Sequence, residues 1–333
     1  MDQARRIGHH ILIERVALDP FGSLHRAVKL KEEAYDRHAL VRLYNGEVLR
    51  DQGFDKRLHK ANWVIHDLPR EWSCGQRWRI DDSQEPLLSC DFSPGLTLAA
   101  AIRAATRARR PMPPRFVLAV LQRVATGIRF LDQIRVGFGV LNPHMVWLGF
   151  DGCAHLLDAP MAPFLAEGIS KMPEARMAML PFLGLAADDP GRRDLFQLGT
   201  LALAALTLAS PPGFRTLLQE GVPALKRGHS PVPEPLRLLV ARLLGLEFPF
   251  PSLHEGVRAI ETLAFDPGFE CGAVDRALIL SRAHPELFRR QQRQWKREAR
   301  ADWNIYLRME KTKDARAAQE DGKGGRLLVG VTG

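Results

Sequence analysis

The fold is decided by a stretch in the middle of the chain, VGFGVLNPHMVWLGFDGCAHLLDAP, which occupies residues 136–160. Its pattern predicts a loop around Asn142-Pro143, then two short strands, Val146–Leu148 and His155–Leu157, joined by a turn at an Asp-Gly pair. The second strand ends on Asp158. We therefore expect a small β-hairpin that presents one acidic residue at its end.

A long helical pattern, Phe116–Leu131, precedes this stretch. Its apolar residues recur at the spacing of a helix with one face in the core. They are Leu118, Leu121, Val124, Ala125, Ile128 and Leu131. Helix, loop, hairpin and terminal acid, in this order, resemble the catalytic segment of protein kinases.

The resemblance lies in the layout, while most of the family's chemical groups are replaced. Kinases use a His-Arg-Asp loop whose Asp accepts the substrate proton, and an Asn that holds the second magnesium. When Leu141-Asn142-Pro143 is placed on the family's Leu-Lys-Pro, Val140 stands at the Asp position and Met145 at the Asn position. Neither side chain can accept a proton or bind a hard cation, so no catalytic residue is expected. Asp158 alone survives, at the Asp of Asp-Phe-Gly.

The first part of the chain resembles the strands of a kinase small lobe. Strands are predicted at 9–16, 23–30 and 38–44. The glycine-rich loop of the family falls between the first two, where only Gly22 remains of its three glycines. Those glycines allow backbone amides to approach phosphate oxygens, and the loop's Asp19 would repel phosphate.

Arg42 stands where kinases carry the lysine that holds the nucleotide phosphates. The best alignment of the next helix places Lys60 at the partner position of that lysine, so two cations are expected to face each other. The resemblance implies four candidates for nucleotide binding, which are Gly22, Arg42, Asp91 and Asp158. Asp158 is also the candidate metal ligand.

Further matches follow in the family's order over residues 5–265. Ser93–Leu98 resembles the connection between the lobes, and Asp194 matches an Asp that braces the catalytic loop. The resemblance implies an α+β, two-lobed kinase-like fold with a β-rich small lobe, a helical large lobe and a basic C-terminal helix. The expected divisions are a small lobe at 1–93, a large lobe at 94–270, a basic helical extension at 271–318 and a flexible tail or truncated segment at 319–333.

Composition favours an ordinary globular protein. The chain has 333 residues, 46% hydrophobic and 26% charged, and a net charge of +9. No signal peptide is evident and no apolar run is long enough to span a bilayer, so we expect a cytoplasmic location. The four cysteines are scattered, and the histidines show no paired spacing with acids or cysteines. No metal cluster is therefore predicted.

The C-terminal region is basic, with eleven Lys and Arg against five Asp and Glu between Arg282 and Arg316. Its aromatic residues recur at helical steps and form one stripe. The stripe comprises Phe288, Trp295, Ala299, Trp303 and Tyr306. Two interpretations stay open: the stripe docks on the large lobe or on the chain's own partner helix, or Arg289–Arg308 recruits an acidic protein, an anionic membrane or nucleic acid.

The function implied by the degraded motifs is that of a catalytically inactive pseudokinase, a binding or scaffolding module with a protein partner and no expected cofactor. The alternative is a divergent protein kinase that binds ATP and magnesium with Arg42 and Asp158 and uses an unidentified base. A third hypothesis is nucleotide binding without transfer. These hypotheses differ in whether Arg42 and Asp158 share a cleft open to solvent.

Overall fold

The computed structural model describes residues 5–31, 34–50, 53–67, 79–81, 86–135, 137–183, 189–207 and 232–293. Most of the aromatic stripe and the expected tail lie outside these residues. Among the described residues, no helix has the length and apolar character needed to cross a membrane.

The N-terminal part is an antiparallel sheet with one long helix. The strands are β1 (Arg5–Ile7), β2 (His10–Asp19), β3 (Gly22–Lys31), β4 (Ala34–Tyr44), β5 (Arg79–Asp81) and β6 (Leu87–Asp91). Their order in the sheet is β1-β2-β3-β4-β6-β5. A short helix α1 (Gly46–Leu49) and the helix α2 (Phe54–Asp67) follow β4. The three strands predicted at 9–16, 23–30 and 38–44 are therefore present as β2, β3 and β4.

The C-terminal part is mostly helical. Its helices are α3 (Leu98–Ala108), α4 (Pro114–Gln133), α5 (Ala162–Gly168), α6 (Pro173–Leu183), α7 (Pro190–Thr207), α8 (Glu234–Leu243), α9 (Leu253–Ala264) and α10 (Ala273–Ala283), and residues 285–293 are helical as well. A second, three-stranded sheet has the order β7 (Gly95–Thr97), β8 (Val146–Gly149) and β9 (Ala154–Leu156). The predicted hairpin is β8 and β9.

The core of the large lobe is built around α4 and α7. Pro114 begins α4, a position where the missing amide hydrogen costs nothing because the first helical turn has no partner for it. Every apolar position predicted to face the core is buried. Helix α7 is buried on nearly all sides and packs against α4, α6, α8 and α9. This core supports the loop and hairpin from beneath.

Candidate functional site

Three charged side chains from three separate parts of the sequence meet between the two lobes. Arg42 on β4 places one terminal nitrogen 2.5 Å from Oδ2 of Asp19 and the other 2.7 Å from Oδ2 of Asp158. All three side chains have an exposed fraction of 0%. We call these residues the buried ion cluster. Arg42 and Asp158 therefore meet as the family layout implies, but solvent does not reach them.

Asp19 reaches Arg42 because the turn between β2 and β3 is very short. Asp19 pairs directly with Gly22, which leaves only two residues in the turn. The Asp19 carboxylate also accepts a hydrogen bond from the amide of Phe21 at 2.9 Å, and the Phe21 ring is fully buried in the core. The turn that holds phosphates in kinases here directs a carboxylate and a ring inward.

Gly22 is required by the backbone conformation at this turn and by the close approach of β4. Its φ is +152°, and a Cβ at this position would collide with the carbonyl oxygen of Leu43 on β4. Close approach of two strands therefore explains the glycine.

Asp158 is held in a backbone conformation that few residues with a side chain adopt. Its φ is +58°, in the left-handed region. Its carbonyl oxygen accepts hydrogen bonds from the amides of Met161 and Ala162, both at 2.8 Å, which fix the start of α5. Such conformations persist only where the surroundings enforce them, and they concentrate at functional sites.

Burial and charge act against each other in the ion cluster. Burial lowers the pKa of Arg42, but the carboxylates of Asp158 and Asp19 outweigh it and raise that pKa, so Arg42 stays charged. Burial raises the pKa of Asp158, and Asp19 raises it further, while Arg42 opposes both. Burial and the same carboxylates also raise the pKa of Tyr44 well above its ordinary value. One guanidinium therefore serves two carboxylates in an apolar surround.

Lys60 does not face Arg42, which corrects the expected repulsion. Lys60 lies exposed on α2, whereas Arg42 is fully buried with its two aspartates. Asp91, another candidate for nucleotide binding, lies at the end of β6 and pairs with Arg37 at 3.4 Å in a partly exposed contact. Its only described ion pair is thus separate from the buried ion cluster.

The loop before the hairpin is held by two polar residues of α7. Asp194 accepts hydrogen bonds from the amides of Phe138, at 3.0 Å, and Gly139, at 2.7 Å. Gln197 accepts from the amide of Leu141 and donates to the carbonyl of Gly139, both at 2.8 Å. Burial raises the pKa of Asp194 to about 6, against the lowering effect of the two amides. Asp194 therefore braces this loop, as the resemblance implies.

Val140 and Met145 are core residues. Both side chains have an exposed fraction of 0%, so the positions of the family's base and second metal ligand face the interior. Asn142, between them, donates to the carbonyl of Val140 at 3.1 Å and accepts from the amide of His144 at 2.9 Å. Its polar groups stabilise the turn into β8.

The connection between the lobes is contacted by a large aromatic side chain. The indole N–H of Trp147 donates to the carbonyl of Ser93 at 3.2 Å, and the ring meets Phe92 edge to face, 6.1 Å between centroids. Trp147 is 1% exposed. This side chain fills the space beside the lobe connection.

An ATP–magnesium complex does not fit the residues in this arrangement. Magnesium prefers an octahedron of oxygen ligands, and of the family's two metal positions only Asp158 offers an oxygen. That carboxylate is already in contact with Arg42. The cation that would meet the phosphates is likewise taken by the chain's own aspartates.

Two further contacts join the lobes on other sides. Glu47 on α1 accepts hydrogen bonds from the amides of Glu174 and Ala175 at the start of α6, at 3.0 and 3.1 Å. On the 285–293 helix, Arg290 pairs with Glu14 of β2 at 3.0 Å. The same helix also contacts the start of β7 in the large lobe, where Gln291 accepts from the amide of Gly95 and donates to its carbonyl, at 2.8 and 2.9 Å.

The start of the aromatic stripe docks on the large lobe. Phe288 packs edge to face on Phe150 with 5.2 Å between the ring centroids. The docking interpretation is therefore confirmed for this residue, and the rest of the stripe lies outside the described residues.

The sequence analysis missed one cluster of possible metal ligands. The ligand atoms of Asp151, Cys153 and His155, on the hairpin, all lie within 4.8 Å of one another. The prediction that no histidine is spaced with acids or cysteines was therefore wrong. The available signal was the run Asp151-x-Cys153-x-His155, which places three residues of metal-ligating type within five positions of the predicted hairpin.

Comparisons with known proteins agree with this architecture. No protein-family model and no curated protein matches the sequence. The chain is similar to crystal structures of the kinase domain of PknI from Mycobacterium tuberculosis. One has 18% identity and a TM-score of 0.55, over 79% of this chain and 98% of that domain. A double mutant of the same domain has 17% identity and a TM-score of 0.56, over 79% and 99%.

The protein therefore has a two-lobed, protein-kinase-like fold. At this level of identity the likeness concerns the fold, and the chemistry of the site must be argued from the residues present.

Proposed function

We propose that this protein is a catalytically inactive kinase-like module that acts by binding or scaffolding. The observation that carries the proposal is the buried ion cluster, in which Asp19 and Asp158 occupy both ends of the Arg42 guanidinium. Kinase catalysis is almost wholly positioning and charge stabilisation around phosphate and magnesium. A site whose cation is paired with carboxylates of its own chain can neither position the phosphates nor stabilise their charge.

The residues at the family's catalytic positions support the same proposal. Val140 and Met145 belong to the hydrophobic core and offer no proton acceptor or metal ligand. We also propose that neither nucleotide nor magnesium is needed by this protein.

The alternative, a divergent kinase, requires the buried ion cluster to open. Arg42 would have to leave Asp19, and Asp19 would then be an unpaired carboxylate in an apolar site unless it became hydrated. Leaving one charge of a buried pair without its partner costs about 3–5 kcal/mol, which nucleotide binding would have to offset. This cost favours the inactive module.

A phosphotransfer assay tests the proposal. The full chain is incubated with radiolabelled ATP, magnesium and a mixture of Ser- and Thr-containing acceptor proteins, beside an Asp158→Ala variant. We expect equal background incorporation, into acceptors and into the chain itself, for both proteins. Incorporation by the natural chain that Asp158→Ala abolishes would establish the divergent kinase instead.

We further propose that the basic C-terminal segment Arg289–Arg308 contacts an acidic protein partner, and that the module works in the cytoplasm. In the described part of this segment, Arg289 and Arg293 are exposed, while Phe288 anchors the helix to the large lobe. A helix fixed through one face presents its charges on the other, which suits a folded, acidic surface.

The full chain and an Arg289→Gln/Arg293→Gln variant would be compared at low salt for binding to a poly-glutamate peptide, vesicles with anionic lipid, and duplex DNA. We expect binding to the acidic peptide that weakens with salt and in the variant. Stronger binding to vesicles or to DNA would indicate an anionic membrane or nucleic acid as the partner and contradict an acidic protein. No binding to any of the three would contradict a recruiting role for the segment.

A further inference from the structure

The hairpin carries a group of side chains that the kinase-like site does not use. Asp151 and Cys153 lie in the turn that precedes β9, and His155 lies on β9 itself. Their ligand atoms lie within 4.8 Å of one another. Bonds of 2.0 to 2.3 Å to one central ion, roughly the values for zinc, need only small side-chain movements to be reached from this spacing.

The backbone of the turn is well determined by its own hydrogen bonds. The amide of Gly149 donates to the carbonyl of Cys153 at 2.8 Å, and the amide of Gly152 donates to the carbonyl of Gly149 at 2.9 Å. Oδ1 of Asp151 accepts from the amide of Cys153, also at 2.8 Å. One carboxylate oxygen therefore shapes the turn, and the other is available as a ligand.

Exposure changes in order along the three residues. Asp151 is exposed, Cys153 is half-buried and His155 is 3% exposed. An ion could thus enter from the surface and meet imidazole at its innermost contact, with the carboxylate outermost. This geometry leaves the solvent side for a water as the fourth ligand.

We propose that Asp151, Cys153 and His155 bind a divalent transition-metal ion of the zinc class. Thiolate and imidazole select such ions, whereas magnesium and calcium need several oxygen ligands and would find only one carboxylate. Binding removes the thiol proton of Cys153 and requires the neutral imidazole, so affinity falls as the pH is lowered.

The position of the turn indicates what the ion stabilises. A Cβ on Gly152 would collide with the carbonyl oxygen of Ala273 at the start of α10. Arg276 of α10 donates through Nε to the carbonyl of Gly152 at 2.6 Å and through a terminal nitrogen to the carbonyl of Cys271 at 2.7 Å. An ion that fixes the turn therefore also fixes the junction where the C-terminal helices join the large lobe.

Cobalt titration of the full, metal-stripped chain tests the proposal. Co²⁺ bound by a thiolate in tetrahedral geometry gives a charge-transfer band and visible bands that zinc then abolishes. We expect one equivalent to bind with both features, and zinc to raise the unfolding temperature. Cys153→Ser should lose the charge-transfer band, and His155→Gln should weaken binding at least tenfold.

Matched variants separate metal binding from folding. Cys271→Ser removes a nearby thiol outside the cluster and should keep the bands. Asp151→Asn keeps the oxygen that accepts from the Cys153 amide, so the turn should fold while cobalt affinity falls. Absence of a charge-transfer band in the natural chain, or an equal band in Cys153→Ser, would overturn the proposal.

Discussion

At the scale of single residues, the decisive feature is how Arg42 is paired. In water an ion pair contributes little, but in an apolar interior a charge without a partner is very costly. Asp19 and Asp158 provide that pairing from a turn and from the end of a hairpin, respectively. Arg42 is therefore part of the protein interior, whereas kinases carry at this position the lysine that binds the nucleotide phosphates.

Arg42→Met is expected to lower the free energy of unfolding by about 3–5 kcal/mol at neutral pH, because two buried carboxylates lose the cation that they share. Urea denaturation measures this loss. The loss should shrink at low pH, because burial raises the pKa of Asp158 and this carboxylate then takes up a proton. Combining Arg42→Met with Asp19→Asn and Asp158→Asn should recover part of it.

The matched control is Arg37→Met, also on β4. Arg37 pairs with Asp91 while both are more than a third exposed, so its loss should cost no more than about 1 kcal/mol. Equal effects of the two substitutions would contradict the account of Arg42.

Asp194 gives the stability a defined pH dependence. Its pKa is raised by burial from 3.8 to about 6, so the folded protein holds a proton that the unfolded chain releases. The stabilisation is full below pH 3.8 and is lost as the pH rises through about 6. The difference in unfolding free energy between the natural chain and Asp194→Asn should therefore change by up to about 3 kcal/mol across this window.

Urea denaturation at several pH values checks this expectation. Gln197→Glu, which places a new acid beside the same loop, is a separate comparison and should steepen the loss toward neutral pH. If the difference in unfolding free energy between the natural chain and Asp194→Asn is constant from pH 4 to pH 7, the raised pKa of Asp194 is contradicted.

At the scale of elements, the sequence predicted what depends on local pattern. The helix α4, the hairpin and the strands of the small lobe follow from periodicity and turn residues, and they lie within a few residues of the expected bounds. The pairing of Asp19 with Arg42 could not be predicted in this way, because it depends on how a turn folds across a sheet. The same reason explains why Lys60 was misplaced: its alignment gave a sequence position and no direction for the side chain.

Helix α6 is tied to the small lobe by one carboxylate. The two carboxylate oxygens of Glu47 accept hydrogen bonds from two backbone amides in the first turn of α6. Amides in the first turn of a helix have no partner within the helix. Glu47→Ala should cost about 1 kcal/mol and speed hydrogen exchange at the amides of Glu174 and Ala175. Glu167→Ala, on an exposed position of α5, is the control and should leave both amides unchanged.

At the scale of the whole molecule, the residues that the structure describes include three groups of polar contacts that join the lobes. The buried ion cluster lies between them, Glu47 reaches α6, and the 285–293 helix contacts both β2 and β7. The kinase-like layout was predictable because many weak matches follow the family's order. The closing contacts were not, since each joins residues far apart in sequence.

The helix at 285–293 should stabilise the backbone of the lobe connection at Gly95. Gln291→Ala removes both hydrogen bonds to Gly95, each worth about 1 kcal/mol, and should speed exchange of the Gly95 amide. Gln292→Ala changes an exposed neighbour on the same helix and should have no such effect. Unchanged exchange at Gly95 in Gln291→Ala would show that this contact does not hold the connection.

The central claim is that the buried ion cluster occupies the place where kinases bind the nucleotide phosphates. Thermal unfolding of the full chain, with and without millimolar ATP and each with and without magnesium, tests this claim most directly. A ligand at 100 times its dissociation constant adds roughly 2.7 kcal/mol, which raises the unfolding temperature by several degrees. We predict no change in any condition. A rise of several degrees that requires magnesium and disappears in Asp158→Ala would contradict the claim.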